Sequence, residues 1–229
     1  MSASIPERIL EVRHQISLFE KKYRRPSGSV KLLAVSKTQP QENIIQAIEC
    51  GQKAFGENYT QEAEKKILAL AAYDLEWHFI GPIQSNKTKT IASLFDWVHS
   101  IDRSKIARRL SEQRPSHLPP LKILLQVNLD SESSKAGVAL SGLEKLAHDL
   151  KDLNNIEFAG LMAIPAPGKD IQAQRASFRL LAQARDNLQR QGFNSCQHLS
   201  MGMSSDKEAA IAEGSTIVRI GTDIFGPRN

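Results

Sequence analysis

The sequence predicts an α/β fold, a single (β/α)8 barrel of the TIM type with an extra N-terminal helix. Three observations carry that expectation. Eight short apolar or β-branched runs alternate with helical patterns along the 229 residues. Strands separated by helices pair in parallel. Eight such units in a chain of this size close most simply on themselves. A doubly wound open sheet is the competing arrangement, and the glycine fingerprint it calls for after a first strand is missing.

The elements follow in order. A helix from Ile5 to about Tyr23 carries Ile9, Val12, Ile16 and Phe19 on one face. The strand candidates are LLAVSK (32–37), KAFGEN (53–58), WHFIG (77–81), DWVHSID (96–102), KILLQVNL (122–129), FAGLMAI (158–164), QHLSMG (197–202) and TIVRIG (216–221). Ile44, Ile45 and Ile48 give the helix after the first strand its apolar face, and Phe178, Leu181 and Leu188 do the same within 177–191. Further helices follow Asn58, Asn86, Arg103, Ser141 and Ser204. RPSHLPP (114–120) and IPAPGKD (164–170) read as loops. No repeat, linker or low-complexity block interrupts the pattern, so residues 1–229 read as one domain.

Composition narrows the function classes. Hydrophobic residues make up 41% and charged residues 24%, the balance of a soluble globular chain. Lys+Arg 30 against Asp+Glu 25 leaves a mild excess of +5, and its densest block is KKYRR (21–25). That block reads as a solvated helix face, so nucleic acid is not an expected partner. Cys50 and Cys196 make neither a disulfide framework nor a metal-ligand spacing. Charges from Glu7 onward interrupt any signal-peptide core, and no apolar run approaches a membrane span. A cytoplasmic location is the expectation, with no membrane partner.

In a barrel of this kind the site forms where the strands end. The first ends on Ser36-Lys37, the second on Gly56-Glu57-Asn58, the seventh on 200–204 (SMGMS) and the eighth on 219–222 (RIGT). Gly202 and Gly221 let backbone amides approach a ligand, Ser200, Ser204 and Thr222 offer hydroxyls, and the helix after Ser204 adds its positive end. Ser204 or Ser205 can equally be an ordinary N-cap with Glu208 behind it. Arg219 interrupts a β-branched strand, so whichever way it points it requires a partner or a ligand. Lys37 can be a solvated strand-end lysine. Beside a phosphate site and a second cation, its amine instead suits Schiff-base chemistry with an aldehyde. An aldehyde, a phosphate and a ring in one molecule describe pyridoxal 5'-phosphate (PLP).

The motifs LLAVSKTQP (32–40), FGENYTQEAEKK (55–66), EWHFIGPIQSNKTK (76–89), SIDR (100–103), QVNLDSESSKAG (126–137), GLMAIP (160–165) and LSMGMSSDKEAAIAEGSTIVRIGTDIFG (199–226) span nearly the whole chain in order. Through them the chain resembles the pyridoxal phosphate homeostasis proteins, which are similar to the barrel domain of alanine racemase standing alone. The resemblance implies that Lys37 holds PLP as a Schiff base and that Arg219 lies near the pyridine nitrogen. It implies further that Ser200, Ser204, Gly221 and Thr222 hold the phosphate, with Asn58 beside the ring. His78 is either behind the site or a satisfied core histidine. Asp223 and Pro227 depart from the family pattern, and a carboxylate just after the phosphate turn repels the ligand unless it is paired or points away.

The function so implied is intracellular PLP storage, carriage and supply, without catalytic turnover. The alternative is a weak PLP-dependent racemase or lyase using Lys37. A racemase needs a second base on the other face of the cofactor, and Tyr23, Tyr59 and Tyr73 lie in early helical segments. PLP-dependent apo-enzymes are the expected transient partners. The chain ends directly after the eighth strand, which leaves no racemase-type dimer contact and suggests a monomer.

Overall fold

The computed structural model describes residues 3–130, 136–166 and 170–227. Parts of the segments 126–137 and 164–170 singled out above lie outside the described residues. Eight parallel strands form a closed barrel: β1 (Lys31–Val35), β2 (Ala54–Glu57), β3 (Glu76–Phe79), β4 (Trp97–Ile101), β5 (Leu121–Asn128), β7 (Ile156–Met162), β8 (His198–Ser200) and β9 (Ile217–Ile220). They run β4-β3-β2-β1-β9-β8-β7-β5, and β4 pairs with β5 to complete the circle. A two-residue strand, β6 (Val138–Ala139), extends the far end of β5 outside the ring.

Between the strands come α2 (Gln41–Glu49), α3 (Thr60–Ala69), α4 (Thr88–Leu94), α5 (Ser104–Gln113), α6 (Leu140–His148), α7 (Ile171–Arg190) and α8 (Lys207–Ala212), with α9 (Thr222–Phe225) last. None of the described helices is long and apolar enough to cross a membrane. The extra N-terminal helix is α1 (Ile5–Lys22). Ser4 and Glu7 cap it reciprocally, and Pro6 fits its first turn. Since α9 is a single turn, α1 packs against α8, α9 and α2 and fills the gap in the helix layer. Its last turn is tied to β1 by the buried Glu20 carboxylate, which accepts from the Gly28 and Val30 amides.

Side-chain parity divides the core in two. Leu32, Ala34, Phe55, Trp77, Phe79, Val98, Leu125, Leu199 and Val218 face outward into a large apolar layer with the helices. Leu33, Ala54, Trp97, Leu124, Ala159, Met162 and Ile217 form a smaller cluster inside the barrel. The inward set also holds polar groups: His78, His99, Ser200 and Arg219 are all buried. Leu33 lies opposite Arg219, which settles the arginine's direction as inward.

Several strand ends differ from the sequence reading. β1 stops at Val35 rather than Lys37, because Gln39 N–H turns back to the Ser36 carbonyl and Thr38 adopts φ 64°. β3 stops at Phe79 and β8 at Ser200, each short of its glycine. Helix α8 starts at Lys207 after Asp206, so neither Ser204 nor Ser205 caps it. Glu208 is engaged elsewhere, by Lys22 and Tyr23 of α1.

Gly160 marks the tightest seam of the barrel. A Cβ there would lie 2.0 Å from the His198 carbonyl oxygen, in the β7–β8 pair. Gly160→Ala is expected to lower stability by about 1–3 kcal/mol through this backbone clash, read as a drop in urea midpoint; an unchanged midpoint would contradict the packing described.

Candidate functional site

A cavity of about 460 Å³ opens at the C-terminal mouth of the barrel. Strand parity brings Val35 and Lys37 of the first βα loop to it, together with Arg219 and Gly221 at the end of β9. Asn58 and Ile80 enter from the ends of β2 and β3, and Ser204 and Thr222 from the last two turns. Six of the seven site residues expected from the sequence therefore share one space: Lys37, Asn58, Ser204, Arg219, Gly221 and Thr222. Ser200 is not brought to it.

Lys37 stands two residues beyond its strand, half-buried, on a turn whose next residue is strained. Positive φ is costly for β-branched Thr38. The conformation is held by the Thr38 amide donating to Glu62 Oε1 at 2.6 Å. Behind the turn lies a buried ionic cluster that the sequence reading did not single out. Lys66 of α3 donates to the Ser36 carbonyl at 2.7 Å, to Glu57 Oε1 at 2.8 Å and to Glu62 Oε1 at 2.6 Å. The Ser36 hydroxyl also donates to Glu57, at 2.6 Å. Burial pushes the Glu57 carboxyl up, against the pull of Lys66 and Ser36. Its second oxygen, Oε2, has no hydrogen-bond partner among the described residues. The cluster fastens the backbone on either side of Lys37 to α3.

Arg219 extends inside the barrel from β9 past the ends of its neighbours β8 and β7. Its guanidinium donates to the Ser200 carbonyl, to Ser200 Oγ at 2.8 Å and to the Ala163 carbonyl at 3.0 Å. Burial lowers its pKa to about 10, opposed by the field of Asp206, so it remains cationic at neutral pH. Ser200 is fully buried behind it, with Oγ 2.9 Å from His99 Nδ1. The hydroxyl supports the arginine instead of facing the cavity. His78 is deeper still, fully buried and stacked on Trp97 with ring centroids 5.4 Å apart.

The last two βα turns bring a glycine turn and hydroxyl groups to this part of the barrel mouth. Gly202 has φ 96°, and a Cβ on it would lie 2.5 Å from Ala210 Cβ, so both turn and packing require glycine there. Ser204, Ser205 and Thr222 line the cavity, and Ser204 Oγ accepts from the Asp223 amide at 3.4 Å. The Asp223 carboxylate accepts from Lys207 Nζ at 2.8 Å, so its charge is paired. Asn58 Oδ1 is buried and has no hydrogen-bond partner among the described residues, a polar atom left for a ligand to satisfy. An amine, a guanidinium, serine hydroxyls and a glycine turn around one such space fit a small anionic aldehyde with a polar ring. The described lining contains no tyrosine, histidine, cysteine, aspartate or glutamate. Tyr59 is exposed at the start of α3 and does not reach it.

A family model described as alanine racemase, N-terminal domain, matches residues 10–229. The pyridoxal phosphate homeostasis protein of Vibrio cholerae is 51% identical over 230 residues, 99% of this chain and 97% of that one. The protein of the same name from Escherichia coli K12 is 47% identical over 228 residues, 98% of this chain and 97% of the other. Among solved structures, PipY of Synechococcus elongatus PCC7942 with PLP bound superposes with a TM-score of 0.86 at 36% identity, covering 97% of this chain and 100% of that one.

The cluster behind Lys37 makes a stability prediction with a definite sign. Lys66→Met removes the cation that opposes the upward push of burial on Glu57, leaving a carboxylate without compensation. The expected loss is about 3–5 kcal/mol near neutral pH. Because the folded carboxyl then titrates further above its unfolded value, proton uptake favours the folded state, and that contribution is lost as pH rises. The deficit should therefore shrink as pH falls from 7 toward the ordinary carboxyl range of about 4. Urea midpoints against pH test this, and a pH-independent deficit would refute it.

Proposed function

The chain belongs to the alanine racemase N-terminal domain family, among the pyridoxal phosphate homeostasis proteins, and from that premise we propose that it binds PLP reversibly through Lys37 and serves its storage and supply. One observation carries the non-catalytic part of this reading. Among the described lining residues, Lys37 and Arg219 are the only side chains with acid–base character. Racemisation needs one base on each face of the reacting carbon, and a guanidinium that stays charged at neutral pH serves poorly as the second.

The residues present divide the work of holding the cofactor. Lys37 would hold the cofactor reversibly through its amine, a group suited to condensing with an aldehyde and being released again by water. The bound cofactor supplies an electron sink for carbanion chemistry. Arg219 can only donate hydrogen bonds, so a ring nitrogen facing it is kept as an acceptor, which weakens that sink. Ser204, Thr222 and the amides around Gly221 offer donors to a phosphate, and the Lys207–Asp223 pair keeps the nearby carboxylate from opposing it. Asn58 would offer its buried, unpartnered Oδ1 to a polar group of the ligand. The ionic cluster at Glu57 and Lys66 keeps the Lys37 turn in place without lining the cavity.

Transient transfer to PLP-dependent apo-enzymes and a monomeric, cytoplasmic protein complete the proposal. The half-buried position of Lys37 suits exchange, since water and an incoming amine can reach the bond.

The decisive experiment is uptake and trapping. Purified protein incubated with PLP should turn yellow, and borohydride should fix the label on the peptide carrying Lys37. Lys37→Ala should lose both the colour and the label while keeping its fold. Amino acids should show no turnover above the free-cofactor rate. A colourless wild type would overturn the binding reading; Lys37-dependent turnover would leave binding intact and move the protein to the weak racemase or lyase class.

A further inference from the structure

The polar groups inside the barrel form one continuous chain from the candidate site to the opposite mouth. Arg219 Nη1 lies 2.8 Å from Ser200 Oγ, and Ser200 Oγ 2.9 Å from His99 Nδ1. His99 Nε2 is 2.8 Å from His78 Nδ1, and His78 Nε2 is 2.6 Å from Glu76 Oε1. The same oxygen of Glu76 receives Lys31 Nζ at 2.7 Å. Glu76 and Lys31 line a second cavity, of about 950 Å³, at the N-terminal mouth. The chain crosses between strands that are not neighbours, since β4 supplies His99 and β8 supplies Ser200.

Such a chain can be fully satisfied in one proton order only. A carboxylate paired with an ammonium is ionised and can only accept. His78 Nε2 must then donate to it. A neutral His78 accepts at Nδ1, so His99 Nε2 donates there, and His99 Nδ1 is left as an acceptor. The Ser200 hydroxyl donates to that nitrogen, and its oxygen accepts from Arg219. The reverse order requires a protonated Glu76 beside Lys31. Making either imidazole cationic turns His99 Nδ1 into a donor and leaves the Ser200 proton with no acceptor among the described contacts. The surroundings agree with neutral rings. Burial lowers His78 against the pull of Glu76, and burial lowers His99 much further. The other charged or titratable groups bearing on the two histidines are Lys31, Asp96, His198 and Arg219. Burial pushes the Glu76 carboxyl up, but hydrogen bonds from His78 and Lys31 outweigh it and hold it well below the usual carboxylate range.

We propose that Glu76, His78, His99 and Ser200 form a one-way hydrogen-bond relay that positions Arg219 in the cavity, anchored by the Glu76–Lys31 pair at the opposite mouth. None of the four touches the ligand space; they are positioning residues. Without the relay the guanidinium would rest on two backbone carbonyls that leave its rotation about the side-chain axis less constrained. The relay supplies the third acceptor and fixes which lone pair it presents.

The consequence for PLP rests on the function proposed above, whereas the proton order does not, so the two are tested separately. Long-range proton–nitrogen correlation spectra of the cofactor-free protein should show His78 and His99 neutral at pH 7, each protonated at Nε2. Glu76→Gln keeps an acceptor oxygen and should retain that pattern, whereas Glu76→Ala should release it to mixed tautomers. Glu76 is only partly buried, with 32% of its side chain exposed, so both variants should fold. In PLP titrations Glu76→Ala should bind about tenfold more weakly, the worth of one hydrogen bond to a charged group, with an altered visible band. Glu76→Gln should bind as the wild type does. A cationic imidazole, or protonation at Nδ1 in the wild type, would overturn the relay. So would Glu76→Ala with unchanged tautomers and unchanged PLP affinity. Wild-type protein with the predicted tautomers but no PLP uptake would sink the functional reading and leave the relay standing.

Discussion

Closing eight parallel strands into a ring forces every second side chain into an interior only a few residues wide, and the rest of the molecule follows from how that space is filled. A small aliphatic cluster around Leu33, Leu124 and Met162 occupies part of it. The remainder holds Arg219, Ser200, His99 and His78, polar groups sealed from water that must satisfy one another. Their hydrogen bonds are continuous because a gap would leave a buried donor or acceptor unmade, at a cost of about 1–3 kcal/mol for each group. Parity also delivers Val35 and Lys37 to the same interior and sends Ser36 and Glu57 out toward α3. One alternation therefore produces both the cavity and its supports.

The two cations of the site are held by opposite means. Behind the Lys37 turn lies an ionic cluster in which Lys66 ties Glu57, Glu62 and the Ser36 carbonyl together. Among the described residues Arg219 is held by two carbonyls and a hydroxyl, with no carboxylate contact. A carboxylate in place of Ser200 would neutralise the guanidinium and reduce its effect on whatever faces it. Neutral acceptors fix its geometry and leave its charge available, moderated only by the more distant Asp206. Asp223 is likewise neutralised beside the last turn, where Lys207 pairs with it.

Much of this was legible in the sequence because it rests on local pattern. Alternation of short apolar runs with helical faces announced the barrel, and Arg219 stood out as a charge in a β-branched run. Strand ends were less legible. The sequence pattern places Lys37 at the end of β1, while the strand stops at Val35, because a turn can follow an apolar run without any change of composition. The supports were not legible at all. Lys66 is one of several lysines and glutamates on α3, and only the folded chain brings it to Glu57 and Ser36. Ser200 read as a phosphate ligand by its position in a Ser/Gly turn. Its true neighbour His99 is 101 residues away, and no local signal joins them. Paired histidines at inward positions of adjacent strands, His78 and His99, were the one available hint.

The placement of these groups bears on the proposal that the site holds a reactive aldehyde without turning substrates over. Turnover requires groups that exchange protons within the cavity, and those must titrate near neutral pH. Among the described residues, Glu57 and both histidines are kept out of it: Glu57 is outside the ring, and the histidines are beneath Arg219 in a chain whose proton order Glu76 and Lys31 would set. A histidine already committed as donor on one nitrogen and acceptor on the other has no spare lone pair to act as a base. Of the two side chains left in the described lining, the arginine stays charged and the lysine is the one expected to form the bond. On this reading the same hydrogen bonds that position Arg219 also keep the histidines out of the chemistry, so the proposed binding of the cofactor and the proposed lack of turnover would have a common physical origin.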